Sequence, residues 1–139
     1  MLETGPFTGM QVDGFVIEEL LGKGGMASVY RGQERELDRT VAIKILPGEA
    51  LDDSDQLKRF EREARLVARI NHNNVAQIYR IGRIDKSPYY AMEYIEGRSL
   101  AQVLNEDGPI SPIKAIHYMQ QVAQGLKAAA RQGIIHRDI

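Results

Sequence analysis

The stretch L-G-K-G-G-M-A-S-V-Y, Leu21 to Tyr30, followed by V-A-I-K, Val41 to Lys44, decides how this chain is read. Gly22, Gly24 and Gly25 separate two runs of strand-forming residues. Glycine lets backbone N–H groups approach an anion closely, and successive amides can cradle phosphate oxygens. A glycine-rich turn between strands is usually only a turn, so its surroundings must discriminate. A dinucleotide-binding fold needs the glycines to open a helix, whereas here S-V-Y-R-G leads into a second strand. A Walker-type loop needs Gly-Lys before Ser or Thr, and Lys23 is followed by Gly24. What remains is a glycine flap at a hairpin tip, able to cover a nucleotide from above.

Outward from the flap, strands are expected over Phe15–Leu21, Ala27–Glu34 and Arg39–Leu46, the last stopped by Pro47-Gly48. The links are too short for helical crossovers, so an antiparallel meander is the expected topology. A helix follows, capped by Asp52, Asp53 or Ser54, with Leu57, Phe60, Ala64 and Val67 at helical spacing and Ile70 at the edge. Lys58, Arg62, Arg65 and Arg69 cluster opposite this stripe, while Glu63 falls inside it. Two more strands are expected over Val75–Ile84 and Tyr89–Ile95, joined by D-K-S-P, then a short helix over Ser99–Asn105. Ser111-Pro112 reads as an N-cap with proline at the first helical position. The helix it opens carries Ile116, Met119, Ala123, Leu126 and Ala130 on one face and closes at Gly133.

Lys44 and Glu63 are two anomalies that answer each other. A lysine inside an apolar strand is costly to bury unless paired, and either snorkels outward or finds a partner. Glu63 alone could be an i,i+4 partner of Arg59 on the helix surface. Its place in the apolar stripe instead turns it towards the strands. Lys44 can hold phosphate oxygens, and Glu63 can hold Lys44.

Bulk composition narrows the function classes. The 139 residues are 43% apolar and 27% charged, and 18 Lys plus Arg nearly cancel 19 Asp plus Glu, for a net charge of −1. No nucleic-acid or anionic-membrane partner is expected from that balance. The absence of cysteine removes disulfides, thiolate metal sites and a cysteine nucleophile, and fits a reducing compartment. A cytoplasmic location is expected, with any membrane tether of the full-length protein outside this segment. No apolar run approaches the roughly 18 residues of a membrane span. The opening M-L-E-T-G-P-F-T-G-M lacks signal-peptide character and reads as a loose lead-in. No metal-ligand cluster is visible, and His72 and His117 receive no role.

Leu21–Tyr30, Val41–Lys44, Glu63, A-M-E-Y-I-E-G (Ala91–Gly97) and the terminal I-I-H-R-D-I occur in the order and spacing of protein kinases. The wording L-G-K-G-G-M-A-S-V-Y and N-H-N-N-V resembles the bacterial branch of eukaryotic-like serine/threonine kinases. The resemblance runs from Gly14 to Ile139. It implies an α+β fold: a kinase N-lobe with a five-stranded antiparallel sheet and one packed helix, then a hinge and the first helices of an incomplete C-lobe. The boundaries are 1–13 for the lead-in, 14–95 for N-lobe and hinge, and 96–139 for the partial C-lobe.

The resemblance also implies roles. ATP would lie under the flap of Leu21, Gly22, Lys23, Gly24 and Gly25, where Ala27 stands at the third glycine position. Val29 and Ala42 would contact the adenine ring, and Met92 would guard the back of the pocket. The backbone of Glu93 and Ile95 would bond adenine as the hinge. Lys44 would hold the α- and β-phosphates, paired with Glu63. Asp138, in His136-Arg137-Asp138, would be the base accepting the proton of a protein Ser or Thr hydroxyl. The catalytic-loop Asn and the Asp-Phe-Gly that hold Mg²⁺ are expected beyond residue 139, so the chain as given is expected to be inactive. The apolar face of the last helix would then lack partners, and self-association through it, or fraying, is expected. The competing readings are a nucleotide-binding pseudokinase and a regulatory or dimerisation module.

Overall fold

The computed structural model describes residues 3–25, 27–48 and 54–135. In chain order these form β1 (Gln11–Val12), β2 (Phe15–Lys23), β3 (Ser28–Glu34), β4 (Arg39–Ile45), α1 (Ser54–Val67), β5 (Ile78–Ile84), β6 (Ser87–Glu93), α2 (Leu100–Asp107) and α3 (Pro112–Arg131). All strand pairs are antiparallel, in a 6-stranded sheet ordered β1-β2-β3-β4-β6-β5. The sheet therefore has one strand more than expected. The extra strand comes from the supposed lead-in, where Val12 pairs with Phe15 across Asp13-Gly14, both at positive φ. Asp-Gly between apolar residues is a strong two-residue hairpin signal, because both central positions of a type I′ turn need φ > 0.

The β5–β6 hairpin closes through Asp85 and Lys86, with Ile84 opposite Ser87 and Asp85 in the left-handed region. Ser87 and Pro88, expected in the link, open β6 instead. Near a strand start the ladder tolerates proline's missing N–H.

The sheet curls until its ends meet. The Tyr89 hydroxyl of β6 donates to the Asp13 carboxylate in the β1–β2 turn at 2.5 Å, and Arg80 of β5 reaches the same oxygen at 3.6 Å. Phe15 and Tyr89 pack edge to face, with ring centroids 6.4 Å apart. Accumulated right-handed twist brings the two edges together, as in a partly closed barrel. Burial, then the Asp13 carboxylate, pushes the Tyr89 hydroxyl far above the usual tyrosine range. Inside the curl lie Phe15, Ile17, Leu20, Tyr30, Val41, Ile43, Ile45, Ile84, Tyr89 and Ala91. Each large side chain there contributes about 1.5–3 kcal/mol of burial.

The second cluster joins sheet to helix. Phe60 and Ala64 of α1 are buried against Leu46, Ile78 and Tyr90, with Val67 and Met92 partly buried beside them. Phe60, Ala64 and Val67 belong to the predicted helical stripe; Leu57 is half-buried and Ile70 is buried just past the helix end. Lys58, Arg62, Arg65 and Arg69 face solvent, as the periodicity requires. The cap expected from Asp52 or Asp53 lies outside the described residues.

Ser99 and Gln102 form a reciprocal capping box at the start of α2, and Ser111 caps α3 ahead of Pro112. α3 lies against the 71–77 segment through Gly125, where an added Cβ would sit 2.8 Å from the Asn74 carbonyl oxygen. The Asn74 side-chain amide also donates to Gln121 at 3.2 Å. The opposite side of α3 exposes Ile113, Ile116 and Met119.

Candidate functional site

Strand alternation builds the site floor. On β4, Val41, Ile43 and Ile45 enter the curled core, so Ala42 and Lys44 share the other face. Register then sets their neighbours: Val29 and Tyr90 lie opposite Lys44 on either side, and Met92 lies opposite Ala42. Val29, Ala42, Lys44 and Met92, predicted from separate segments, thus share one sheet face.

The docking of α1 brings Glu63 to the same place. Lys44 Nζ donates to Glu63 Oε1 at 3.0 Å. The Tyr90 hydroxyl donates to that same oxygen at 2.8 Å, and Lys44 Nζ lies 5.6 Å from the Tyr90 ring centroid. Phe60 packs on the Tyr90 ring, centroids 5.0 Å apart, one turn before Glu63. The aromatic contact fixes the helix, and the helix fixes the carboxylate. Burial, then the bond to Glu63 and its charge, holds the Tyr90 hydroxyl far above the usual tyrosine range. The phenol therefore stays a hydrogen-bond donor through the physiological range.

Glu63 is less enclosed than its place in the apolar stripe suggests. Its side chain is 53% exposed, against 28% for Lys44. An ion pair this open to water contributes about 0.2–1 kcal/mol. Its value lies in orientation: it fixes where the Lys44 ammonium sits against Glu63 and Tyr90.

Tyr90 is the site residue that sequence reading missed. The available signal was a tyrosine in step with Met92 on a strand expected to pack beneath the α1 stripe. Its link to Glu63 depends on register across three elements, which the local pattern does not carry.

The flap follows its expected course. Leu21, Gly22 and Lys23 end β2, Gly24 and Gly25 form the turn, and the Gly24 N–H donates to the Ala27 carbonyl at 2.8 Å. Among the described residues with positive φ, none belongs to this flap. A Cβ at Gly22 or Gly25 would meet no protein atom within 4 Å.

At the far end of β6, the Glu93 N–H donates to the Gln77 carbonyl at 2.8 Å, and its carboxylate accepts from the Gln77 N–H at 3.2 Å. The chain then runs irregularly through Tyr94, Ile95 and Glu96, with the Ile95 side chain exposed. His72, which had no assigned role, accepts the Asn74 N–H through Nδ1 at 3.1 Å and closes a turn. His136, Arg137 and Asp138 lie outside the described residues. Among the described residues, no group of three or more His, Asp or Glu could hold a metal ion.

A glycine hairpin, a strand lysine and a helix glutamate on one sheet face form a recognisable combination, and residues 15–139 match the model of the protein kinase domain. The chain is a member of the protein kinase family. It is 38% identical over 132 residues to the serine/threonine-protein kinase PrkC of Bacillus subtilis, covering 94% of this chain and 20% of that protein. It is 38% identical over 125 residues to the serine/threonine-protein kinase PknL of Mycobacterium tuberculosis, covering 90% of this chain and 31% of that one. The kinase chain thus spans a fifth to a third of the length of these relatives. Among solved structures, the PknI kinase domain of Mycobacterium tuberculosis superposes with a TM-score of 0.81 at 26% identity, covering 95% of this chain and 53% of that chain. The fold is that of a protein-kinase N-lobe with the first C-lobe helices, and its relatives are bacterial serine/threonine kinases. No described helix is long and apolar enough to cross a membrane.

Proposed function

We propose that these 139 residues form the ATP-binding part of a cytoplasmic serine/threonine protein kinase, which transfers the γ-phosphoryl group of ATP to protein Ser or Thr hydroxyls. The observation that carries this is the Lys44–Glu63 pair at 3.0 Å, on the sheet face shared with Val29, Ala42 and Met92. In this reading Lys44 holds the α- and β-phosphates under the flap formed by Leu21, Gly22, Lys23, Gly24 and Gly25, while Glu63 and Tyr90 keep its ammonium in place. Val29 and Ala42 flank the adenine, Met92 backs it, and the backbone of Glu93 and Ile95 bonds its edge. Asp138 is the base that accepts the proton of the attacking hydroxyl.

No Asp-Phe-Gly occurs in the sequence. Phosphoryl transfer relies on metal-borne charge stabilisation as well as positioning. The 139 residues alone are therefore proposed to bind nucleotide without transferring phosphate. Exposure of Ile113, Ile116 and Met119 on α3 favours self-association of this chain by itself. Sedimentation across a concentration series that finds only monomer would remove that part.

Calorimetry on the chain and on Lys44→Ala, with Mg-ATP and with adenosine, tests the main reading. A lost hydrogen bond to a charged group is worth about 1.5–3 kcal/mol, so Mg-ATP affinity should fall roughly 10- to 150-fold with adenosine little changed. Equal losses for both ligands would argue against the role given to Lys44.

A further inference from the structure

The segment 3–10, expected as a loose lead-in, is bonded along the outer edge of β2. The Gly9 N–H donates to the Ile17 carbonyl at 2.7 Å, the Ile17 N–H to the Met10 carbonyl at 2.9 Å, and the Leu20 N–H to the Glu3 carbonyl at 2.9 Å. Internal bonds hold its own turn: Thr8 N–H to Gly5 carbonyl at 3.0 Å, and Gly5 N–H to the Thr8 hydroxyl at 3.0 Å. Phe7 meets the Tyr30 ring edge-on at 6.0 Å, and Phe7, Met10 and Val12 pack on the curled core. Gly5 lies so close to the buried Tyr30 that a Cβ there would stand 2.5 Å from the hydroxyl oxygen.

The last of these bonds falls one residue before the flap. The β2–β3 pairing shifts register between Ile17 and Glu19 and again between Leu20 and Gly22. Each shift leaves a residue out of the ladder and bends the strand, so β2 is held least well by β3 where the flap begins. β1 reaches only Phe15 and Val16. Beyond that point the outer edge of β2 relies on the 3–10 segment, and Leu20 is the last tie before Leu21 and Gly22.

We propose that residues 3–10 act as a strap that positions the nucleotide flap, with Gly5 and Phe7 as its positioning residues. This rests on the nucleotide reading given above. A glycine-rich flap loses conformational freedom when it closes on phosphates, and a strap that fixes its base lowers that cost. Among the described residues, the strap's contacts run to β2, Tyr30 and the curled core rather than to a group assigned to adenine, so its effect falls on the phosphate end of ATP.

The test uses Gly5→Val, which displaces the strap from Tyr30, and Phe7→Ala, which removes the edge contact without adding bulk. Amide hydrogen exchange is read at Leu20 and at Gly22 to Gly25, alongside Mg-ATP and adenosine affinities. The expected result is faster exchange at Leu20 and across the flap. Mg-ATP should weaken about 3- to 10-fold and adenosine change less than about 2-fold. Should Gly5→Val fail to fold, Phe7→Ala gives the same readings. A freed Leu20 amide with flap exchange and Mg-ATP affinity unchanged overturns the strap. Unaltered Leu20 exchange in Phe7→Ala together with weakened Mg-ATP also overturns it, because the effect then travels by another route. If the unsubstituted chain binds no Mg-ATP, the nucleotide reading fails, and flap exchange alone decides the strap.

Discussion

Replacing Tyr90 by phenylalanine isolates one hydroxyl at the meeting point of three elements. The Tyr90 hydroxyl lies 2.8 Å from Glu63 Oε1, the oxygen that also accepts from Lys44 at 3.0 Å. The ring remains in Tyr90→Phe, so its contact with Phe60 at 5.0 Å is kept and no cavity opens. The loss is therefore the hydrogen bond alone. A bond to a charged acceptor reaches about 1.5–3 kcal/mol, and a neutral pair about 0.5–1.5 kcal/mol. Glu63 is 53% exposed, and water can replace part of what is lost. We expect a cost of about 1 kcal/mol. For a chain of this size that corresponds to roughly 3–5 °C in melting temperature.

The decisive measurement is a double-mutant cycle with Glu63→Ala, followed by urea unfolding. With the carboxylate gone, the Tyr90 hydroxyl is a poorly solvated group with no acid to bond, and its removal should cost nothing or help slightly. The coupling energy should then be about 1 kcal/mol, within the range seen for contacting residues. If Tyr90→Phe costs the same in both backgrounds, Tyr90 and Glu63 are not coupled and the three-way arrangement around Lys44 is wrong.

Gly125→Ala should push α3 off the 71–77 segment, since the new Cβ would stand 2.8 Å from the Asn74 carbonyl oxygen. We expect a loss of about 1–3 kcal/mol by denaturant unfolding, as for other overpacked positions, with faster amide exchange in α3. Alkaline titration gives a third prediction, from the raised Tyr89 and Tyr90 hydroxyls. Their folded values lie above the unfolded value near 10, so the fold binds protons more tightly, and the stability they contribute is complete below that value. It is lost as pH rises past it towards the folded values. Thermal melts between about pH 9 and pH 12 should show falling stability, with a shallower fall in Tyr90→Phe. A slope identical to the parent chain would contradict the assignment of Tyr90.

The strands and the helix were legible because each announces itself locally. Alternation in R-T-V-A-I-K-I states which β4 residues share a face, and the Leu57–Val67 spacing states which side of α1 is buried. The glycine flap was legible for the same reason, being bounded by strand-forming residues on both sides. The first hairpin was overlooked although Asp13-Gly14 between Val12 and Phe15 carries its signal. Residues 1–13 read as loose because they lack the basic and apolar regions of a signal peptide, a reading that leaves their strand signal out of account. What orders that segment is the unpaired edge of β2, and no stretch of the segment itself reveals that edge.

The flap, the strand lysine and the helix glutamate were legible in the sequence alone, because periodicity and turn chemistry act between residues near one another in the chain; the family was legible only through the resemblance of the ordered motifs to protein kinases. The tertiary structure alone decided that Tyr90 shares the Glu63 oxygen with Lys44, that Asp13 closes the curled sheet onto Tyr89, and that the Glu3 carbonyl ties the base of the flap. Each of these joins segments whose separation carries no pattern. They are fixed by register, by accumulated sheet twist and by where α1 comes to rest, and those are set only when the whole core packs.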